Sequence, residues 1–498
     1  MSQVAKPWST GASLRGLYRL VPLGLFLTLS YTNGAYADLA NLEGQFSNEV
    51  EESSARGTQA SYDALLLENG GPCDVRQSGP SSGCSGSVFT VFQSAREFVQ
   101  TGNELTGDGP VQYSLGVDLS GLGRALRWNA GEEFSGQGSQ TSEFVDGQLS
   151  GLASRITALR FGASGFFIAG LPVGDAQMAT APGARGETYG MGASADYDFV
   201  KSWGGFINAS YGYGDKEATG NEDAFDFDGY DITAGIDYRI NNQWVVGGVL
   251  GYTDREIDFE QIGNIVVDGG IETDGFSILP FVLYQGNRFF GSISLGYQSM
   301  SFDSDRAIKY ASLNPDVEST NTRTLSSSDS DTLTFSAAGG YGFDFGQFHF
   351  EPYISVEYLD ITIDAFTERD INGDGKDFEV DDQDIESLEG TLGVKFVYTF
   401  LPSFGVISPY IDLEFHKQFE NDARTIEAVF HGSSAAVDTS TARFKIDTDE
   451  LDERYYVIAV GASAVLPGGF QGYLTYRTIE GLDFYTHSVI SGGVRYEF

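Results

Sequence analysis

The sequence has few histidines, cysteines, prolines and basic residues, and it has no long hydrophobic stretch beyond its start. All four histidines follow position 348, so residues 1–348 hold neither a Ser-His-Asp triad nor a histidine zinc site. Thirteen prolines exclude a collagen-like or proline-rich disordered chain. With 29 Lys+Arg against 70 Asp+Glu, the net charge of −41 excludes a basic nucleic-acid-binding surface. No run of about 18 uncharged apolar residues follows position 37, which excludes a membrane-spanning helix there.

Glycine and aromatic residues are abundant instead. There are 64 glycines among 498 residues, nearly twice the usual share of about 7%, and 13% of the residues are aromatic. This composition, combined with the acidity, is typical of many β-strands joined by acidic loops.

Residues 1–37 have the layout of a cleaved signal peptide. A positively charged start precedes the apolar stretch Leu20–Leu29, which is too short to span a bilayer. Ala35 and Ala37 then supply the small residues of a cleavage site before Asp38. An anchoring N-terminal helix is the alternative. We expect an exported protein.

The only two cysteines, Cys73 and Cys84, flank a turn-rich stretch. Export to an oxidising compartment makes a disulfide between them the expected state.

Residues 203–498 repeat one pattern of strictly alternating residues. In Tyr230–Ile240 the tyrosines and isoleucines share one parity, whereas Asp231, Thr233 and Asp237 share the other. A soluble β-sandwich also alternates, but here the second face is polar and aromatic residues recur near strand ends. We predict twelve strands, with starts near residues 203, 227, 244, 273, 288, 331, 348, 387, 406, 455, 470 and 485.

The connections between these strands alternate in length, as in an outer-membrane barrel. The long acidic loops are predicted near residues 215–226, 258–272, 303–330, 361–386, 422–454 and 480–484. The predicted fold class is therefore membrane all-β: a twelve-stranded antiparallel transmembrane β-barrel, preceded by a small, mainly α-helical segment.

Residues 38–162 have helical rather than strand periodicity. Apolar residues recur at helical spacing in Ser87–Gly107 and again in Ser142–Phe161, and Leu39–Leu67 follows more weakly. Residues 163–202 are predicted to link this mainly helical segment to the barrel.

The last strand carries the most specific signal. Ile490, Val494, Tyr496 and the terminal Phe498 share one face of it. With Phe225–Tyr230, Asp381–Ser387 and Leu466–Gly469, this order of motifs resembles the β-barrel translocator domain of autotransporters. The resemblance implies that these four C-terminal residues are an assembly signal, read by the outer-membrane barrel assembly machinery with periplasmic chaperones.

The same resemblance implies a passenger followed by an α-helix in the barrel pore. Residues 142–161 are the candidate pore helix, because Arg155 and Arg160 could meet acidic residues of inward parity there. Those acidic residues are Asp231, Asp237, Glu351, Glu357, Asp412 and Glu414. The passenger region is short, without solenoid repeats, and no Asn-Asn pair near the helix suggests self-cleavage.

One loop resembles a calcium site. Asp370, Asn372, Asp374 and Asp381, with Lys376 through its backbone, match the ligand positions of a D-x-N-x-D-G loop. The twelfth position is Asp381 rather than the usual glutamate, and a solvated acidic loop explains the residues as well. Apart from possible Ca²⁺ here, we expect no cofactor, no catalytic residues and no enzymatic activity.

We therefore expect a monomeric outer-membrane translocator of a double-membrane bacterium, with outer-membrane lipid and the assembly machinery as partners and no nucleic acid. It would pass, anchor or display its short N-terminal segment. The alternatives are a passive channel and a structural or adhesive surface protein with a periplasmic N-terminal domain.

Overall fold

The computed structural model describes residues 39–160, 166–168, 171–173, 203–259, 269–403, 405–420, 423–434, 442–450, 452–465 and 470–496. The predicted signal peptide, most of the predicted linker and Phe498 lie outside these ranges. No helix within them is both long enough and apolar enough to cross a membrane.

Four helices precede the barrel. Asn48 and Asp118 cap two of them, since each side chain accepts a hydrogen bond from a backbone N–H of the first turn. Gly107, in the left-handed conformation, ends a third. The helices are α1 (Glu49–Leu65), α2 (Ser87–Thr106), α3 (Leu119–Arg127) and α4 (Gly136–Arg160), with 3₁₀ turns at Leu39–Leu42, Leu67–Asn69 and Glu132–Ser135.

Twelve long antiparallel strands form the barrel, as predicted. Each pairs with its neighbour along the sheet, and the last strand pairs with the first over Ser210–Lys216, which closes the barrel. The strands are β3 (Trp203–Lys216), β4 (Phe225–Arg239), β5 (Trp244–Phe259), β6 (Gly269–Gln285), β7 (Phe289–Tyr310), β8 (Thr320–Tyr341), β10 (Phe348–Ile363), β14 (Gln383–Tyr398), β15 (Val406–Gln418), β18 (Arg454–Val465), β19 (Phe470–Glu480) and β20 (Tyr485–Tyr496).

A short hairpin lies beside the junction of β3 and β20. Its strands β1 (Phe166–Ile168) and β2 (Leu171–Val173) fall in the predicted linker, and β1 runs parallel to β3 beside Gly205–Ile207. β9 (Phe343–Phe345) is a short strand that pairs with the start of β10.

Side chains alternate across the barrel wall as the sequence predicts. On β4, Tyr230, Ile232 and Ile236 are exposed on the outer face, whereas Asp231 and Asp237 are buried in the lumen. Pairs of aromatic side chains lie near both ends of the barrel, on either side of the exposed apolar residues of its outer face. Examples are Trp203–Tyr238, Trp244–Tyr284 and Tyr398–Phe400 at the end with short turns, and Tyr230–Tyr252 and Tyr252–Phe276 at the other end.

The structure corrects the prediction of long loops. Residues 303–330 are mostly strand rather than loop, because β7 and β8 remain paired far beyond the barrel, up to Tyr310 and Thr320. We call this end of the barrel, with its long connections, the surface end, and the opposite end the turn end.

Residues of two further predicted loops form a second sheet above the surface end. We call it the loop sheet, and its strand order is β11-β13-β16-β17. The elements are β11 (Phe366–Thr367), β13 (Phe378–Val380), β16 (Thr425–Phe430) and β17 (Phe444–Asp447), with α5 (His431–Ser434) after β16 and β12 (Arg369–Asp370) paired to β8.

Candidate functional site

Helix α4 runs through the lumen from the surface end to the turn end. Near the surface end Phe144 packs in a cluster with Phe227 and Ile257. Near the turn end Leu152 and Ile156 pack in a separate cluster, which includes Phe206 and Leu283. Because apolar clusters hold both halves of the helix, the described lumen is occupied over most of its length.

Glycines let this helix approach the barrel wall closely. A Cβ atom on Gly147 would lie 2.7 Å from Oδ2 of Asp231, and one on Gly151 would lie 2.7 Å from Oγ1 of Thr233. The amide of Asn208 donates to the carbonyl oxygen of Gly151 at 3.2 Å. Two glycines one helical turn apart therefore define the face that lies against β3 and β4.

An ion-pair chain joins the first half of α4 to the wall. Arg255 of β5 donates from Nη1 to Glu143 Oε2 at 2.6 Å and from Nη2 to Asp231 Oδ2 at 2.8 Å. Thr253 donates to Asp231, and Tyr485 donates to Glu143. The three charged groups are buried, so each charge depends on its partners rather than on water.

A second ion pair holds the end of α4 nearer the turns. Arg155 is fully buried and donates to Asp237 Oδ2, from Nε at 2.7 Å and from Nη2 at 2.5 Å. This is a contact between the helix and a lumenal carboxylate of the kind that the resemblance suggested. The side chain of Arg160 lies outside the described residues.

Three of the other predicted lumenal acids have partners on the strands. Asp412 pairs with Lys395 at 3.1 Å, and Glu414 contacts His416 Nε2 at 3.1 Å. Glu351 contacts His349, and Glu357 lies opposite Glu389 in the β10–β14 register. Three of these four carboxylates are thus paired with a basic side chain, as buried charges inside a membrane protein require, whereas Glu357 faces another carboxylate.

At the surface end, residues 39–135 pack on the loop sheet. We call residues 39–135 the N-terminal segment. Its helices share one hydrophobic core with the loop sheet, with the extended end of β7 and with the β7–β8 connection. The barrel's contribution to that core is Ile308, Tyr310, Val317, Phe366, Phe378, Val380, Ile426, Ala428, Phe430, Phe444 and Ile446.

Cys73 and Cys84 form a disulfide in this segment, with their Cα atoms 5.2 Å apart. Arg96 of α2 lies beneath the hairpin between them and donates to the carbonyl oxygen of Gln77 at 2.5 Å. Its guanidinium also lies 3.6 Å from the ring centroid of Tyr113. The disulfide hairpin is therefore anchored to α2 and not a free loop.

The residues of the predicted calcium loop make contacts within the protein. The carboxylate of Asp370 accepts from the backbone N–H groups of Asn372, Gly373, Asp374 and Lys376, and from the hydroxyl of Thr322. Asp381 forms an ion pair with Arg443 instead. Within the described ranges no three His, Cys, Asp or Glu side chains gather as a metal site, so the three carboxylates of the loop are not brought together. Calcium binding stays a prediction.

Lys376 belongs to the interface with the N-terminal segment, which the sequence did not indicate. Its ammonium is buried and donates to Ser94 Oγ of α2 and, at 2.5 Å, to Tyr310 Oη of β7. Burial lowers the pKa of Lys376 to about 8 and raises the pKa of Glu97, on the same face of α2, to about 7.

The predicted assembly signal lies along β20. Ile490 is 43% exposed on the outer wall, and the backbones of Val494 and Tyr496 pair with Gly472 and Phe470 of β19. The side chains of Val494 and Tyr496 and all of Phe498 lie outside what the structure describes.

Comparison with protein families gives a match over the barrel. Residues 205–477 match the family model of the autotransporter beta-domain, which is more than half of the chain. Esterase EstA of Pseudomonas aeruginosa is 22% identical over 232 residues, covering 46% of this chain and 33% of the esterase. Esterase EstA of Pseudomonas putida matches to the same extent. This chain therefore spans about a third of the length of these relatives.

Solved structures of autotransporters are also similar. The translocator domain of NalP from Neisseria meningitidis matches with a TM-score of 0.43 and 16% identity, covering 59% of this chain and 87% of that domain. The transport unit of AIDA-I from Escherichia coli matches with a TM-score of 0.40 and 13% identity, covering 61% of this chain and 94% of that unit.

Proposed function

This chain belongs to the autotransporter β-domain family and is an outer-membrane translocator, and we propose that it carries its own N-terminal segment to the cell surface and keeps it there. The observation that carries the proposal is helix α4, which enters the lumen at the surface end and reaches the turn end. Because the long connections of such barrels face outward, the N-terminal segment would lie outside the cell.

Retention of the segment follows from its contacts. Two buried ion-pair sites fix α4 in the lumen, and the N-terminal segment shares its core with the loop sheet. Release of the segment would require its helices to separate from the loop sheet and lose the shared core. We therefore propose display rather than secretion. The alternative of a passive channel predicts an open lumen.

The proposal assigns no catalytic activity, no resident cofactor and a monomeric state to this chain. The match to Esterase EstA covers a third of that protein, and residues 1–348 contain no histidine. We propose outer-membrane lipid, periplasmic chaperones and the barrel assembly machinery as partners, the last through Ile490, Val494, Tyr496 and Phe498.

Labelling of intact cells tests the topology. An antibody epitope inserted after Gly70, where the chain is exposed, reports on the N-terminal segment, and one inserted after Asn242 reports on an exposed turn at the other end. We expect the first epitope to be labelled on intact cells and the second only after permeabilisation. Labelling of both only after permeabilisation would place the segment in the periplasm and leave the channel or structural reading.

A further inference from the structure

We propose that the loop sheet is the surface on which the N-terminal segment folds after crossing the membrane, so that the segment has no stable fold apart from its own barrel. This inference rests on the proposed function, because it requires the segment to arrive at the surface end. Its occupant is a stated part of this chain, residues 39–135.

The loop sheet is too small to be stable alone. Its strands have 2, 3, 6 and 4 residues, and isolated sheets of this size need a packed apolar face. The aromatic side chains of Phe378, Phe430 and Phe444 contact one another with ring centroids 4.8 to 4.9 Å apart. All three are buried in the core that the loop sheet shares with the helices of the N-terminal segment.

The N-terminal segment in turn needs the loop sheet to cover part of its apolar surface. Its helices turn their apolar residues, among them Phe92, Phe98 and Leu126, into the same core that the loop sheet completes. Without the loop sheet, the part of this core that faces it would meet water, so the segment would lose a large share of the contacts that order its helices.

Glycines on both sides of the boundary show that the fit is specific. A Cβ atom on Gly57 of α1 would overlap the ring of Phe444. From the barrel side, a Cβ atom on Gly432 would lie 2.6 Å from the carbonyl oxygen of Ser87, and one on Gly375 would lie 2.8 Å from the backbone nitrogen of Val91. The two parts approach at distances that leave no room for other side chains.

Polar groups are also satisfied across the boundary. Ser53 donates to the carbonyl oxygen of Lys445, and Ser61 donates to that of Ala442 at 3.3 Å. In the β7–β8 connection the backbone N–H of Leu313 donates to the carbonyl oxygen of Leu115 at 2.7 Å. Each part therefore holds hydrogen-bonding groups whose buried partners belong to the other part.

The test changes the barrel and observes the segment. In the full chain carrying the Gly70 epitope, Phe444→Ala removes a ring from the shared core, and Lys445→Ala, at the next position with an exposed side chain, is the matched control. On intact cells, we expect added protease to digest the N-terminal segment, leaving the barrel, at least about tenfold faster in Phe444→Ala than in the parent. The control should match the parent, and heat-dependent gel mobility should show a folded barrel in all three.

A pair of compensating substitutions distinguishes loss of this specific contact from general destabilisation of the protein. Gly57→Leu alone should also speed digestion of the segment by protease, whereas Gly57→Leu combined with Phe444→Ala should regain protection, because the new side chain fills the space of the lost ring. Equal protection in the parent, Phe444→Ala and Gly57→Leu would overturn the inference while the surface location stood. An epitope that antibody cannot label on intact cells of the parent would instead overturn the proposed function.

Discussion

Lys376 and Glu97 show how a buried charge at the interface ties stability to pH. Burial raises the pKa of Glu97 to about 7 from its usual value near 4.5, so the docked segment binds a proton that the undocked segment lacks between these values. Stability therefore falls as pH rises from about 4.5 to 7. Because the pKa of Lys376 is lowered to about 8, stability recovers above that pH.

The expected profile thus has a minimum between about pH 7 and 8. Glu97→Gln should abolish the loss of docking stability between about pH 4.5 and 7, which amounts to up to about 3 kcal/mol. Docking of this variant at pH 7 should therefore resemble its docking at pH 5. The measurement is the rate at which added protease digests the N-terminal segment on intact cells between pH 5 and 9.5. Glu68→Gln, at an exposed position, is the control; a Glu97→Gln profile that parallels it would contradict the assignment.

Arg255 is a second residue whose role follows from its burial. It lies between the carboxylates of Glu143 and Asp231, and removing it leaves two buried carboxylates without their cation. We expect Arg255→Ala to destabilise the helix-filled barrel by about 3–5 kcal/mol. Arg454→Ala, which breaks an exposed pair with Glu453, should cost at most about 1 kcal/mol.

Heat-dependent gel mobility of the purified barrel measures this difference as a shift in the unfolding midpoint. A shift for Arg255→Ala no larger than that for Arg454→Ala would show that the ion-pair chain does not hold the helix.

At the scale of single elements, α4 depends on its close approach to the wall. Gly151→Leu would place a side chain against Thr233, whereas Ser150→Leu changes the neighbouring, exposed position of the same helix. We expect Gly151→Leu to cost about 1–3 kcal/mol by overpacking and to increase ion conductance through the lumen in planar bilayers. Equal conductance of the two variants would contradict the packing described for this face.

The sequence predicted those helices and strands whose hydrophobic residues recur at one regular local spacing. Residues such as Tyr230 and Asp231 alternate because the strand separates lipid from lumen, and this alternation is readable without knowledge of the partners. The helix α3 and the loop sheet were missed, because their short stretches gain order only from distant residues such as Phe444. Lys376 appeared in the sequence only as a backbone position in a calcium loop. The inward parity of Arg255 was readable, but its partner on α4 was not.

At the scale of the whole molecule, the lumen and the surface segment have separable roles. Deleting residues 39–135 removes the segment but leaves α4 in the barrel, whereas deleting residues 39–160 removes both. We expect the second deletion alone to open a conducting lumen, because the described helix fills the space between β3 and β10.

Single-channel conductance of the two purified proteins measures this, with the full chain as reference. Equal conductance for both deletions would mean that α4 alone does not block the lumen. High conductance of the full chain would favour the passive channel.

The shared core has a further consequence for how this protein can diverge. Surface loops of a barrel ordinarily tolerate insertions and replacements, because they lie outside the packed core. Here the loops that carry Phe378 and Phe444 pack against helices that lie some 300 positions earlier in the sequence. A change in one part demands a matching change in the other, so barrel and segment must be inherited as a unit. A chimera that joins this segment to a foreign barrel would deliver it to a surface on which it has no place to fold.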